Sequence, residues 1–228
     1  MDGSDDLEKR AAKATLGFVV ALAIMIFLAA GSLSYWQGWL FLIHFSAWCA
    51  GLTYYFLKHD PALIERRLRV GPAAERESSQ KRIQLFTSIV TIALFIGSVL
   101  DYRFGFSVVP VPMVVLGHVL IAAGFLACYF VFRENSYASA TVEVREGQRV
   151  VSSGPYGLVR HPMYAGVLPL FLGIPLALGS YWLLIGILFV LVGLVARLLD
   201  EERHLSANLP GYGEYCRKVR YRLLPGIW

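Results

Sequence analysis

Five consecutive residues before a long apolar run combine the side chains that a charged ligand needs. They are Arg160, His161, Pro162, Met163 and Tyr164. Proline is favoured at the first helical position, so a helix is expected to begin at Pro162 with His161 as its cap residue. The free N–H groups of such a helix start, beside Arg160, can bind a carboxylate or phosphate. The rings of Tyr156 and Tyr164 suit a cationic group such as a sulfonium. The same pattern is also typical of a proline-capped membrane span with interfacial anchors.

A second charged group of residues ends the last apolar run. Arg197 and Glu201 are one helical turn apart and share a face, which also fits a simple ion pair at the membrane boundary. Arginine before glutamate is, however, the less favourable order and contributes about a few tenths of a kcal/mol. If the intervening chain forms a helical hairpin, its two ends meet at one membrane face. His161 and Glu201 then become neighbours although 40 residues separate them.

The elements that position these groups are predicted to be membrane helices. The chain is 57% apolar and 16% charged, against roughly 45–50% and about 25% in a soluble domain. The uncharged run 14–57 would form a helix of about 66 Å, and that of 162–196 one of about 52 Å, so each must cross a core of roughly 30 Å twice. The sequence predicts an all-α integral membrane protein with about six transmembrane helices, at 14–34, 37–57, 82–100, 111–132, 162–178 and 181–199.

The positive charges give this arrangement an orientation. All but one of the 21 Lys and Arg fall on the side of both termini, and Arg103 is the exception. By the positive-inside rule that side is cytoplasmic. The cations are spread over four segments beside spans, which is typical of contact with membrane lipid and not of nucleic-acid binding. The three isolated cysteines give no metal-ligand spacing, and the lack of charge within the spans disfavours an ion-coupled transporter.

Three segments on the predicted cytoplasmic side are available to carry function. The segment 58–82 is predicted to be a surface helix and turn that meet lipid headgroups. The segment 133–161 is predicted to be an ordered loop with a short strand at 140–144. The segment 205–228 is predicted to be a tail lying on the headgroups. The chain is accordingly divided into a membrane region, 1–133, and a catalytic half, 134–228.

The catalytic half carries several motifs in a fixed order. They are Gly154-Pro155-Tyr156, then Arg160-His161-Pro162-Met163-Tyr164, then Arg197 with Glu201-Glu202, then a Gly-Tyr-x-x-Tyr tail from Gly211 to Tyr215. This half, from about 135 to 228, resembles the isoprenylcysteine carboxyl methyltransferase family, which is similar in turn to the membrane phospholipid N-methyltransferases. The resemblance implies transfer of a methyl group from S-adenosylmethionine, at the cytoplasmic face, to a lipophilic or prenylated acceptor such as an isoprenylcysteine carboxylate.

The resemblance also implies roles for individual residues. Glu201 would bind the amino group of the cofactor, and Arg197 would bind the substrate, making these the two catalytic residues. Arg145 would be a further cofactor contact. The other cofactor-binding residues implied are Gln148, Arg149, Val150, Val151, Tyr156, His161, Pro162, Met163 and Tyr164. No metal is implied. The sequence does not indicate which oligomeric state the protein adopts.

Two other classes of function remain open at this point. A membrane reductase that uses NADPH on a sterol-like substrate would also place a basic, aromatic loop beside a helical bundle. A non-enzymatic membrane receptor or transport protein is the second alternative. Neither explains why charged residues stand at both ends of the last hairpin.

Overall fold

The architecture is a bundle of membrane helices. The structure, a computed structural model, describes residues 2–75, 77–144 and 147–228, and within these ranges all regular secondary structure is helical. Five helical segments are long and apolar enough to cross a bilayer, which indicates a multi-pass integral membrane protein. They are α1 (Asp2–Ala30), α2 (Trp36–His59), α4 (Ser78–Phe104), α5 (Val111–Glu134) and α7 (Ile187–Asn208) with the short 3₁₀ turn Trp182–Leu184 before it.

The shorter helices are α3 (Pro61–Arg67), α6 (Pro162–Ala177) and α8 (Tyr212–Lys218). Helix α6 corresponds to the fifth predicted span, but its 16 residues extend only about 24 Å, less than a core of roughly 30 Å. Pro169 and Pro175 lie inside it, and each lacks the N–H that would bond one turn back. The helix then ends before Gly179, whose positive φ of 78° favours glycine. Five long spans and one short apolar helix therefore account for the six predicted.

Helices α5 and α6 pack backbone to backbone. A Cβ added at Gly117 would lie 2.4 Å from the backbone N of Ala177, and one added at Gly173 would lie 2.4 Å from the carbonyl O of Gly117. One heptad along α5, a Cβ at Gly124 would lie 2.9 Å from the carbonyl O of Gly166. Small residues at such a contact allow helices to approach closely in a membrane. This contact holds α6 against α5, so the residues just before α6 keep a fixed place in the bundle.

Helix α7 is longer than predicted. It runs to Asn208, nine residues past the predicted end at 199, so Arg197 and Glu201 lie within a continuous helix. The start of α4 supports this extension, because Asp200 Oδ2 accepts hydrogen bonds from Ser79 Oγ at 2.8 Å and Gln80 Nε2 at 2.7 Å. The polar end of α7 is therefore tied to the membrane region and not only to the loop before α6.

The opposite end of α6 is also anchored by buried polar contacts. Asp101, at the end of α4, is 2% exposed. Its Oδ2 accepts hydrogen bonds from Ser107 at 2.7 Å and from Ser180, which follows α6. The Tyr35 hydroxyl, between α1 and α2, donates to the carbonyl of Leu178. Three connections of the bundle, α1–α2, α4–α5 and α6–α7, thus meet at this end and fix the end of α6.

Two predicted loop structures differ from the observed ones. The segment 140–144 is not a strand, since the N–H of Val142 donates to the Glu75 carboxylate at 3.1 Å instead of to a neighbouring strand. The segment 205–228 does not simply lie on the headgroups, because Tyr212 and Tyr215 of α8 are 4% and 5% exposed. The predicted helix and turn in 58–82 are confirmed as α3 and the bend at Gly71.

Candidate active site

The start of α6 is held by the C-terminal segment. His161 is the cap residue and Pro162 the first helical residue, as the sequence predicts. The N–H groups of Arg160 and His161 donate to the carbonyls of Tyr221 and Arg222 at 2.9 and 3.0 Å. The two backbone N–H groups just before the helix therefore already donate hydrogen bonds within the protein. The N–H groups available to a ligand belong to the first turn of α6.

Glu202 contacts three basic side chains around this helix start. Its Oε1 lies 2.9 Å from Arg160 Nη1 and 3.3 Å from His161 Nε2, and its Oε2 lies 2.9 Å from Arg222 Nε. His161 is 5% exposed and its ring stacks on that of Tyr164, with centroids 5.6 Å apart. Glu202 thus joins α7, the start of α6 and the C-terminal segment through one buried carboxylate.

Glu201, the neighbouring acid, has different surroundings. Its Oε2 accepts a hydrogen bond from the Tyr164 hydroxyl at 2.5 Å, and that hydroxyl accepts one from Arg197 Nε at 3.2 Å. Among the residues that the structure describes, no Lys, Arg or His nitrogen lies within 4.0 Å of the Glu201 carboxylate. Arg197 and Glu201 are therefore bridged by Tyr164 and do not form the simple ion pair that their spacing allows.

Arg197 is instead paired with the membrane region. Its Nη2 lies 2.8 Å from Glu75 Oε1 and donates to the Ala140 carbonyl at 2.8 Å, and its Nη1 donates to Gln84 Oε1 at 2.7 Å. Glu75 is 3% exposed. Sequence reasoning missed both Glu75 and Gln84, because they stand in the loop before α4 and in α4 and belong to no motif.

The loop before α6 is anchored around Tyr156. Asn135 donates to the Tyr156 hydroxyl at 2.9 Å, and the Tyr215 hydroxyl of α8 donates to the Tyr156 carbonyl at 2.8 Å. Burial raises the pKa of the Tyr156 phenol to about 12, so the ring presents a neutral face at physiological pH. The tail segment that was predicted to lie on headgroups therefore closes one side of the site.

All these elements surround one cleft. The cleft has a cavity volume of about 110 Å³ and is open to the surface at its mouth. Its lining includes every predicted site residue that the structure describes, namely Gln148, Arg149, Val150, Val151, Tyr156, His161, Pro162, Met163, Tyr164, Arg197 and Glu201. Arg145 lies outside the described residues. Tyr212 and Tyr215 also line the cleft, and only the Gly-Tyr-x-x-Tyr spacing could have indicated them.

A further cation lies close to this cleft. Arg67, in the last turn of α3, donates to the Ala138 carbonyl at 3.1 Å, lies 3.9 Å from Met163 Sδ and stacks over the Phe132 ring at 4.2 Å. Burial lowers the pKa of its guanidinium, which nevertheless stays charged at neutral pH. Within the described part of the chain no carboxylate lies within 4.0 Å of it.

The comparisons with known proteins concern the part of the chain that builds most of this cleft. Residues 112–210 match the phospholipid methyltransferase family model. The stretch that matches the phospholipid methyltransferases covers α5, the loop, α6 and α7, and so includes His161, Tyr164, Arg197 and Glu201. Glu75 and the α8 tyrosines lie outside it. The family match is consistent with the resemblance drawn from the motifs.

A second comparison concerns a reductase. Over 93 residues the chain is 32% identical to the Delta(14)-sterol reductase TM7SF2 of Mus musculus. The aligned stretch covers 39% of this chain and only 22% of the reductase. The comparisons thus point to two reaction classes, methyl transfer and sterol reduction, and the geometry of the cleft can be compared with each.

Proposed function

We propose that this protein is a membrane methyltransferase that moves a methyl group from S-adenosylmethionine to a lipophilic acceptor. The observation that carries the proposal is the convergence of the α6 start and the polar end of α7 on one cleft. There Glu201 is held by Tyr164 at 2.5 Å without a cationic partner among the described residues. The phospholipid methyltransferase match over 112–210 supports the same reaction class.

The cleft fits the charges of the cofactor. Glu201 is a carboxylate available to the α-ammonium group, because its hydrogen bond from Tyr164 uses only one of its oxygens. The backbone N–H groups at the start of α6 suit the cofactor carboxylate. The rings of Tyr156 and Tyr164 suit the sulfonium. Gln148, Arg149, Val150 and Val151 form the wall from the loop side.

The reaction needs little from the protein beyond positioning. S-adenosylmethionine would supply an activated methyl group, to which an in-line nucleophile would bond as the C–S bond breaks and its electron pair stays on sulfur. The residues of the cleft must then hold the acceptor at about 3–3.5 Å in line with the methyl group and exclude water. The buried side chains of His161 and Tyr164 contribute to both tasks.

The acceptor is proposed to be lipophilic because the site stands at the end of apolar helices. Helix α6 and helix α7 both lead from the cleft into the apolar bundle. The resemblance implies a prenylated cysteine carboxylate, with Arg197 on the substrate side. The distribution of Lys and Arg supports a cytoplasmic location for the cleft.

The experiment that tests this proposal is isothermal titration of S-adenosylhomocysteine, the demethylated product, into detergent-purified protein. Wild type is compared with Glu201→Gln and with Glu214→Gln, a matched change at an exposed residue of α8. We expect saturable binding that Glu201→Gln weakens at least tenfold, since a hydrogen bond between charged groups contributes about 1.5–3 kcal/mol. Folded wild-type protein that binds no S-adenosylhomocysteine refutes the proposal.

A second candidate function is an NADPH-dependent reduction of a sterol-like substrate. The 32% identity over 93 residues with the mouse sterol reductase favours it. Thermal unfolding distinguishes the two candidates. A rise in the unfolding temperature with NADPH and not with S-adenosylhomocysteine supports the reductase, and the reverse supports the methyltransferase.

A further inference from the structure

The charge of Arg197 is matched before any acceptor arrives. Three of the five N–H groups of its guanidinium donate hydrogen bonds, to the Tyr164 hydroxyl, the Gln84 amide oxygen and the Ala140 carbonyl, and Nη2 also forms an ion pair with the Glu75 carboxylate. The two N–H groups that remain are on different nitrogens, one on Nη1 and one on Nη2, and Nη2 lies beside Glu75. The side chains of Arg197 and Glu75 are 11% and 1% exposed, so water screens this ion pair poorly.

This geometry is unfavourable for an anionic acceptor at Arg197. A carboxylate is bound strongly by arginine through two parallel N–H groups, and at Arg197 the unused N–H of Nη2 belongs to the nitrogen that already forms an ion pair with Glu75. A carboxylate at that place would also lie close to Glu75, which has the same charge. The Glu201 carboxylate, on the other side of Tyr164, adds further negative charge.

We propose that Glu75 is a specificity-determining residue that excludes anionic acceptors, so that the acceptor group of this protein is an uncharged nucleophile. This inference rests on the proposed methyltransferase function, and it replaces the cysteine carboxylate that the resemblance implies as the acceptor with an uncharged group. An uncharged acceptor X–H yields X–CH3 and one proton. The lone pair of X forms the new bond to carbon, the electrons of the broken C–S bond remain on sulfur, and the proton leaves to water.

Glu75 has a second contact, which allows a substitution to test its charge while its structural hydrogen bond is kept. Its Oε2 accepts the N–H of Val142, a lining residue of the cleft, at 3.1 Å. Glutamine at position 75 keeps an oxygen for that N–H, removes the negative charge and places an amide NH2 group opposite Arg197, so the ion pair with Nη2 is lost. Glu77, two residues further along and exposed, provides the matched control Glu77→Gln.

The experiment measures the affinity of two lipophilic probes that differ only in charge. The probes are N-acetyl-S-farnesylcysteine, which carries a carboxylate, and its carboxamide, each titrated into the full chain with S-adenosylhomocysteine present. We expect wild type and Glu77→Gln to bind the carboxamide at least about tenfold more tightly, because of like-charge repulsion of the carboxylate. In Glu75→Gln we expect the carboxylate to bind about tenfold more tightly than in wild type, with the carboxamide affinity unchanged within twofold.

The outcomes separate this inference from the proposed function. Tighter binding of the carboxylate than of the carboxamide by wild type overturns the role of Glu75, and this comparison needs no variant. An equal shift for both probes in Glu75→Gln, or no shift for either, also overturns it. A wild-type chain that binds no S-adenosylhomocysteine refutes the methyltransferase proposal itself, whereas normal binding with an unshifted probe ratio refutes only the inference about Glu75.

Discussion

The hydroxyl of Tyr164 is the single atom that joins the two predicted catalytic residues. It donates to Glu201 at 2.5 Å and accepts from Arg197 at 3.2 Å, and the side chain is nearly buried at 8% exposure. Tyr164→Phe removes this atom and keeps the ring that stacks on His161. The Glu201 carboxylate then loses the only partner that orients it among the described side chains.

The magnitude follows from the charge of these partners. A hydrogen bond to a charged group contributes about 1.5–3 kcal/mol, and about 1.4 kcal/mol corresponds to a factor of ten in affinity. Because Glu201 is proposed to bind the cofactor ammonium group, we expect Tyr164→Phe to weaken S-adenosylhomocysteine binding by about 10- to 100-fold. The measurement is calorimetric titration in detergent. Tyr181→Phe, at an exposed tyrosine beyond the other end of α6, should bind like wild type.

A double-mutant cycle tests whether Tyr164 acts through Glu201. Residues in contact are expected to be non-additive. In a Glu201→Gln background, Tyr164→Phe should therefore change the affinity by no more than about twofold. Two results would contradict this prediction: losses of binding free energy that are fully additive, or a Tyr164→Phe variant that binds as tightly as wild type. Either would show that ligand binding does not depend on the orientation of Glu201 by this hydroxyl.

Three further predictions concern stability and turnover. Glu202→Gln should lower the thermal unfolding temperature, because loss of one partner of a buried ion pair costs about 3–5 kcal/mol and Glu202 pairs with Arg160 and Arg222. An unchanged unfolding temperature would contradict its structural role. Gly173→Ala should destabilise the fold by about 1–3 kcal/mol through overpacking against α5, whereas Gly51→Ala, where an added Cβ meets nothing within 4 Å, should not. Arg197→Ala should abolish methyl transfer in a radiolabelled assay. It should reduce the affinity for S-adenosylhomocysteine less than His161→Ala and Glu201→Gln do. Equal losses of this affinity in all three variants would refute this division of roles.

Much of the fold could be predicted because membrane helices leave a direct pattern in the sequence. Apolar runs longer than the bilayer core predicted the long spans, and Pro162 predicted where α6 begins. The length of α7 could not be predicted from hydropathy. Its last turns are polar and are supported by Ser79 and Gln80 on Asp200, which are contacts between segments about 120 residues apart.

The candidate site was predictable only where it follows the order of the chain. His161 and Glu201 share a cleft because a hairpin returns the chain to the same face, which the sequence indicates. Glu75 reaches Arg197 from a loop in the other half of the chain, and nothing in its sequence neighbourhood indicates that contact. The alternating residues 140–144 suggested a strand, but the Glu75 carboxylate takes the N–H of Val142 that a strand would need.

The short length of α6 has a consequence for the depth of the cleft in the bilayer. Helix α5, with 24 residues, is about 36 Å long, whereas α6, with 16, is about 24 Å long. The far end of α6 is fixed by Ser180 and Asp101. With its far end at one boundary of a hydrocarbon core of roughly 30 Å, the start of α6, and the cleft beside it, would lie about 6 Å inside the other boundary. A bilayer of short-chain lipids would bring acceptor headgroups nearer to this depth, so turnover in proteoliposomes should depend on hydrophobic mismatch even when the acceptor and its concentration stay the same.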